Sequence, residues 1–256
     1  MLKFNYILFS YFLFTAGIWF ALKDPLSALC VSVLITVVFI MIIAWGVADI
    51  RSRMFIDSFN GNPLAKDRIA ITFDDGPDEK NTRELLKILK KHNVKATFFL
   101  IGQKIKKKNE IVRDIFSEGH QISNHSCYHK NSFPLLSFAK MKDEIICTQK
   151  AIKEITGNDN RFFRPPFGVT NPTVAKAVKF TGLKVAGWSI RTFDTKRSLS
   201  KEKILSRVLI KLKPGDIVLL HDTGKNVLWL TDNILKYTGD KGWAAVTVEE
   251  LSENNV

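Results

Sequence analysis

The chain has 256 residues, a net charge of +13 and three cysteines. Its length allows one ordinary domain plus a further segment, and Cys127 and Cys147 show no framework spacing, so the cysteines neither require nor exclude an oxidising compartment. The lysines are spread over helix-like stretches without an aromatic platform or a nucleic-acid motif. This pattern argues against nucleic acid as a partner and favours a solvated surface that attracts anionic headgroups or phosphates.

Residues 1–50 are predicted to form a two-helix transmembrane hairpin. Phe4 to Leu22 is a run of 19 uncharged residues, and Leu26 to Ala48 is a run of 23, whereas a spanning helix needs about 20. Pro25 suits the first turn of the second helix. A cleaved signal peptide would need a shorter apolar run and a small-residue cleavage site. A buried hairpin in a soluble protein is the alternative that stays open.

The charges that flank the two runs predict the orientation of the hairpin. Lys3 lies at one end and Arg51 and Arg53 lie at the other, while Lys23 and Asp24 cancel in the short connection. Positive residues favour the cytoplasmic side of a membrane. The sequence therefore predicts a multi-pass cell-membrane protein with two spans and a cytoplasmic catalytic domain.

Residues 51–66 are expected to be a linker, and residues 67–256 are expected to form a single α/β domain. In that domain, short apolar runs alternate about seven times with helical patterns. The runs are Arg68–Phe73, Ala96–Leu100, His120–Asn124, Arg161–Arg164, Lys184–Ile190, Asp216–Leu220 and Ala244–Val248. Such alternation predicts parallel strands joined by helical crossovers. We expect a distorted, incomplete (β/α) barrel of about seven strands, with a flat doubly wound sheet as the alternative.

Polar residues follow the predicted strands, at the sheet edge where α/β proteins bind ligands. Asp74 and Asp75 follow the first strand, and His125 and His129 follow the third. Two neutral imidazoles and a carboxylate can hold a catalytic zinc ion with a position open for water. Taken singly, the histidines could also be surface or capping residues, and the carboxylates could belong to an ordinary acidic turn.

Two more strand ends carry residues suited to acid–base chemistry. Arg164 precedes two prolines and therefore lies outside a helix interior, where its guanidinium could hold a carboxylate bidentately. His221 follows an apolar run and could donate a proton. A surface arginine and a plain strand-end histidine are the alternatives.

Together these residues resemble the polysaccharide deacetylase family with the NodB-homology domain, also called carbohydrate esterase family four. The resemblance covers about residues 67–250, and T-F-D-D-G-P followed by H-S-x-x-H is highly specific. Its five motifs occur in order: T-F-D-D-G-P at 72–77, H-S-x-x-H at 125–129, R-x-P-F at 164–167, a degenerate fourth motif at 188–194 and L-L-H-D at 219–222.

The resemblance implies a barrel of fewer than eight strands and a divalent metal, usually zinc. It implies that Asp75, His125 and His129 hold the metal. It also implies that Asp74 is the general base and that His221 is the general acid.

The same resemblance implies that Arg164 positions the general base and that Asp194 orients the general acid. It assigns the backbone N–H of Phe167 to the oxyanion hole. The fourth motif departs from the family's usual D-x-x-D-W, because Arg191 and Thr195 replace its first and last residues. Phe167 replaces the usual tyrosine of the third motif. We expect the chemistry to survive and the sugar pocket to differ.

The expected function is hydrolysis of an N-acyl group, N-acetyl above all, from an amino sugar in a glycan or a lipid-linked saccharide. A cytoplasmic domain favours the lipid-linked sugar. A catalytically silent glycan-binding protein of the same fold is one alternative. A deformylase or O-esterase acting on a lipid-linked sugar is the other. The oligomeric state is not predicted.

Overall fold

The computed structural model describes residues 2–253. Their helices are α1 (Leu2–Ala21), α2 (Pro25–Ala48), α3 (Asn81–Lys91), α4 (Gly102–Lys107), α5 (Asn109–Ser117), α6 (Phe138–Thr156), α7 (Pro172–Thr181), α8 (Lys201–Lys211), α9 (Val227–Asp240) and α10 (Val248–Ser252). Their strands are β1 (Ser58–Phe59), β2 (Arg68–Gly76), β3 (Thr97–Leu100), β4 (Gln121–Asn124), β5 (Phe162–Phe163), β6 (Lys184–Ala186), β7 (Ile190–Arg191), β8 (Ile217–His221) and β9 (Ala244–Val246).

The strands form one parallel sheet in the order β1-β6-β5-β4-β3-β2-β8-β7, with β9 pairing to the first residues of β2. The predicted parallel α/β architecture is confirmed. The strand count is higher than expected for two reasons. The run from Lys184 to Ile190 is broken into β6 and β7 at Gly187–Ser189, and the two-residue strand β1 was not predicted.

Alternation along β2 separates two layers of core. Ile69, Ile71 and Phe73 are buried in the cluster that includes apolar residues of α3 and α9. Side chains two residues apart share a face of a strand, so Thr72 and Asp74 belong to the opposite face. There Thr72 and Asp74 both bind Arg164. The strand period therefore places Asp74 on the face of the sheet that also holds Arg164.

The two N-terminal helices are long and apolar enough to cross a membrane by length and composition. Asp24 caps α2 by accepting a hydrogen bond from the N–H of Ser27, and Pro25 occupies the first turn as expected. The helices contact one another through the stacked rings of Tyr11 and Phe39, whose centroids are 4.3 Å apart. Almost all of their remaining surface is unburied.

Residues 51–66, expected to be a linker, are packed into the domain. Met54 and Phe55 are buried, and Ser58 donates a hydrogen bond to the carbonyl of Ile50 at 2.8 Å. Strand β1 pairs with β6 at the edge of the sheet. The carboxyl end of α2 is thus tied to the domain by folded chain.

Candidate active site

The acidic pair lies at a break in the pairing of β2. The register between β2 and β3 shifts between Asp74 and Gly76, and Asp75 has a φ of +73°. In a regular strand, neighbouring side chains point to opposite faces. The bulge and the left-handed residue allow both carboxylates to reach the same site. This is how two adjacent acids become available to one reaction centre.

Asp74 is bound by a fully buried arginine. The Nη1 atom of Arg164 donates to Asp74 Oδ1 at 2.6 Å and to Thr72 Oγ1 at 2.8 Å. The Nε and Nη2 atoms donate to the carbonyls of Ala186 and Gly187 at 3.1 and 2.6 Å. Burial lowers the pKa of the guanidinium, and Asp74 opposes that shift. Arg164 therefore fixes the Asp74 carboxylate at one position.

Three side chains converge in a geometry suited to a metal ion. One ligand atom from each of Asp75, His125 and His129 lies within 4.8 Å of the other two. The Nε2 atoms of His125 and His129 lie 3.5 and 3.3 Å from Asp75 Oδ1. The Nδ1 atom of His125 lies 2.7 Å from the carbonyl of Arg164, which directs Nε2 towards the carboxylates.

The ionisation of His129 and Asp75 also fits a metal. Burial and the neighbouring His125 lower the pKa of His129 to about 4. Burial opposes ionisation of Asp75, but the hydrogen bond and charge of His125 keep the pKa of that carboxyl well below its usual value. Neutral imidazole and ionised carboxylate are the forms that bind divalent cations. The donor set therefore fits zinc or another divalent ion, with positions left for non-protein ligands.

The loop that carries the two histidines is fastened to α6. Glu144 Oε2 accepts the backbone N–H groups of Cys127 and Tyr128 at 3.0 and 2.9 Å. Cys127 also forms a disulfide with Cys147, one turn further along the same helix. Neither anchor was predicted from the sequence, although Glu144 and Cys147 are three residues apart and so share a helix face.

His221 lies beside Asp74 and is oriented by Asp194. Asp74 and His221 are paired residues on the neighbouring strands β2 and β8. Asp194 Oδ1 lies 2.9 Å from His221 Nδ1, and Asp194 Oδ2 accepts the backbone N–H of His221 at 2.9 Å. Burial opposes protonation, but the hydrogen bond and charge of Asp194 raise the pKa of His221 to about 9. The imidazole is therefore protonated at neutral pH and can donate a proton.

Phe167 lies in the loop after β5, at the edge of the group formed by Asp75, His125 and His129. Its φ of 61° is unusual for a non-glycine residue, and the residue is 40% exposed. The Phe167 ring lies 4.8 Å from the ring of His129. The structure thus brings all eight predicted site residues to the carboxyl-terminal edge of the sheet.

The two substituted positions of the fourth motif, Arg191 and Thr195, lie outside this centre. Arg191 is exposed and its guanidinium lies 5.5 Å from the ring of Trp188, and Thr195 is also exposed. Thr195 and Asp194 line a cavity of about 680 Å³. The replacements therefore change the surroundings of the site and leave the pairing of Asp194 with His221 intact.

Part of the chain matches the sequence model of one protein family. Residues 61–186 match the model for "Polysaccharide deacetylase". That segment contains the acidic pair, both histidines and Arg164, and it ends before Asp194 and His221.

Two curated relatives extend the likeness. The peptidoglycan-N-acetylglucosamine deacetylase PgdA of Listeria monocytogenes is 37% identical over 184 residues, which cover 72% of this chain and 38% of that protein. A peptidoglycan-N-acetylglucosamine deacetylase of Bacillus cereus is 34% identical over 202 residues, which cover 77% of this chain and 72% of that protein. The chain thus spans well under half the length of the Listeria protein.

Solved structures of the same fold include an inactive member. A CE4 family pseudoenzyme from Bacillus anthracis superposes with a TM-score of 0.70 at 28% identity, covering 76% of this chain and 68% of the other. A mutant of that protein with restored enzymatic activity superposes equally well at 30% identity, covering 76% of this chain and 70% of the other. Likeness of fold alone therefore does not distinguish an active enzyme from a silent one.

Proposed function

Because the chain belongs to the polysaccharide deacetylase family, we propose that it hydrolyses the N-acetyl group of an amino sugar in a metal-dependent reaction. The observation that carries the proposal is the arrangement of two functional groups around one donor set. Asp74 and His221 are in register on neighbouring strands, and the Asp75–His125–His129 group lies beside them. A hydrolase needs a base for water and an acid for the leaving group, and both are present.

Asp75, His125 and His129 would hold the ion, for which zinc is our proposal. A divalent ion, when bound there, would supply polarisation of an amide carbonyl and acidification of water. Asp74 would take the proton of the attacking water. Its Oδ2 atom lies 3.7 Å from Nε2 of His125, so the carboxylate borders the residues that would hold the metal. Arg164 would hold that carboxylate in place through its 2.6 Å hydrogen bond.

The remaining groups would act on the developing oxyanion and on the leaving amine. The backbone N–H of Phe167 would donate to the developing oxyanion. His221 would give its proton to the amine as the carbon–nitrogen bond breaks, because an amine is a strongly basic leaving group. Asp194 would keep His221 oriented and protonated until that step.

A catalytically silent glycan-binding protein is the rival function, and the pseudoenzyme of this fold gives it a specific basis. Every acid, base and ligand that the family motifs require is present in this chain. The activity is tested by incubating the full chain, loaded with zinc, with N-acetyl, N-formyl and O-acetyl sugars and measuring the acid released. Fastest turnover of the N-acetyl substrate supports the proposal. Faster turnover of the N-formyl or O-acetyl substrate would replace the deacetylase with a deformylase or an esterase.

We propose that residues 1–50 form a two-span membrane anchor and that residues 67–256 form the catalytic domain. Lys3, Arg51 and Arg53 support a cytoplasmic domain. The Cys127–Cys147 disulfide supports the opposite side, because such bonds are rare in the cytosol. The cytoplasmic orientation therefore requires that these cysteines are reduced in the cell.

The substrate class follows from the way in which α2 meets the site. The backbone N–H of Thr170, in the same loop as Phe167, donates to the carbonyl of Val47 near the end of α2 at 3.0 Å. The Oγ1 atom of Thr170 donates to the carbonyl of Gly46. The anchor thus holds the site close to the membrane surface. We propose a lipid-linked amino sugar as the substrate class. The relatives are named as peptidoglycan deacetylases, which supports an amino sugar that belongs to the cell wall.

A further inference from the structure

A cavity of about 270 Å³ lies beside the fourth motif, between the end of α2 and helix α8. Four basic side chains and one carboxylate line it, together with two aromatic rings. The basic residues are Arg51, Arg191, Arg207 and Lys211, the carboxylate is Asp49, and the rings are Trp188 and Phe193. None of these residues has a role in the proposed reaction.

The cavity carries unbalanced positive charge. Asp49 is committed to Arg51, whose Nε and Nη2 atoms donate to its two oxygens at 2.9 and 2.7 Å. Among the ion pairs of residues 2–253, none includes Arg191, Arg207 or Lys211. Asp49 also attracts Arg191 electrostatically, but four basic residues face this one carboxylate, so the cavity keeps an excess of positive charge. Guanidinium and ammonium donors are the groups that bind phosphate.

Aromatic contacts hold two of these cations in place. The guanidinium groups of Arg191 and Arg207 each lie 5.2 Å from the centre of the Phe193 ring. Arg191 also lies 5.5 Å from the ring of Trp188. Cation–π contacts restrict long side chains before a ligand arrives, so less rotamer freedom is lost on binding. The pocket is in this sense preformed.

The position of the cavity indicates where the anion comes from. Ala48, the last residue of α2, lines the cavity on one side. On another side Trp188 separates it from the active site, where the same indole lies 5.7 Å from the guanidinium of Arg164. A Cβ on Gly168, next to Phe167, would collide with that indole. The cavity therefore lies between the membrane anchor and the reaction centre.

We propose that this pocket binds the phosphate of a membrane lipid that carries the amino sugar. The proposal rests on the proposed function for the sugar and on the proposed anchor for the lipid. Arg191, which replaces the family's usual acidic residue, removes a negative charge from the pocket wall and adds a positive one. The departure in the fourth motif is thus explained as recognition of a phosphate next to the sugar.

The test uses the full chain in maltoside micelles, which contain no phosphate, and measures binding by calorimetry. The probes are farnesyl phosphate and inorganic phosphate. Arg207→Gln with Lys211→Gln removes two exposed cations of the pocket. Lys203→Gln with Lys236→Gln is the matched control, since both of these lysines are exposed and neither lines the cavity.

We expect the pocket variant to bind farnesyl phosphate at least about tenfold more weakly than the wild type and the control variant to bind it normally. Inorganic phosphate should bind far more weakly than farnesyl phosphate. Equal binding of the two probes would overturn the lipid as the source of the phosphate. Equal loss in both variants, or no binding by the wild type, would overturn the pocket.

A second measurement separates this proposal from the proposed function. The same wild-type preparation is assayed for acetate release from a soluble, phosphate-free N-acetylated chitooligosaccharide. Acetate release without farnesyl phosphate binding removes the pocket and keeps the deacetylase. Farnesyl phosphate binding without acetate release keeps the pocket and counts against the deacetylase.

Discussion

The substitution Arg164→Lys tests the buried charge pair at the centre of the site. Arg164 is fully buried and donates four hydrogen bonds, to Thr72, Asp74, Ala186 and Gly187. A lysine ammonium is a compact donor without the planar fork of a guanidinium. If it keeps its contacts with Asp74 and Thr72, the carbonyls of Ala186 and Gly187 each lose a buried partner.

Each lost partner costs about 1–3 kcal/mol, so we expect Arg164→Lys to lower the free energy of unfolding by about 3 kcal/mol. A displaced Asp74 carboxylate should also slow turnover by about 100-fold. Urea unfolding of the full chain in micelles, followed by near-UV circular dichroism, measures the first effect, and acetate release measures the second.

Arg161→Lys is the matched control. Arg161 is 65% exposed and pairs with Glu249 at 2.6 Å, and exposed pairs contribute less than about 1 kcal/mol. Arg164 and Arg161 variants of equal stability would refute the buried network described above. A stable Arg164→Lys protein with normal turnover would show that Asp74 does not depend on the guanidinium.

Three further predictions address the metal, the acid and the orientation. His125→Ala should lower zinc affinity at least about tenfold in a zinc titration, whereas His92→Ala, outside the donor set, should leave it unchanged. In the wild type, kcat/KM should fall as pH rises through about 9, because His221 then loses its proton. Asp194→Asn removes the group that raises this pKa, so the alkaline limb should move to lower pH; an unmoved limb would exclude His221 as the acid. If the domain is cytoplasmic, Cys127 should be labelled without prior reduction when whole cells are denatured in the presence of a membrane-permeant thiol reagent; labelling of Cys127 only after reduction of the Cys127–Cys147 disulfide would place the domain outside.

Much of the fold could be predicted because its signals are local and repeated. Buried runs such as Arg68–Phe73 alternate with helical patterns, and Pro25 and Asn171 mark helix starts that the structure contains. Polar residues at the ends of parallel strands must meet at one edge, so Asp74 and His221 could be expected to lie close together.

The features that were not predicted depend on contacts that produce no repeating pattern in the sequence. Strand β1 has two residues, too few to show alternation. The run from Lys184 to Ile190 contributes two strands, β6 and β7, that pair with different neighbours in the sheet. The bond from Thr170 to Val47 joins residues far apart in the chain. The Glu144 anchor acts on backbone N–H groups, which carry no residue identity.

The same limit applies to the cavity beside α2. Its basic residues come from three separate segments, and the sequence showed only a spread of positive charge. The aromatic walls gather Arg191 and Arg207 around Phe193. The structure therefore places part of the basic excess in one cavity, and the binding of a phosphate there can be tested.

The most direct test of metal-dependent deacetylation is to measure acetate and free amine together, with zinc content, for the wild type and for Asp74→Asn. The substrate is an N-acetylated amino-sugar oligosaccharide. We expect equal amounts of acetate and amine from the wild type. We also expect Asp74→Asn to keep its zinc and to lose about 1,000-fold in rate, because it lacks the general base. Normal turnover by Asp74→Asn, or a fully zinc-loaded wild type that releases no acetate from N-acetylated amino sugars, would contradict metal-dependent deacetylation.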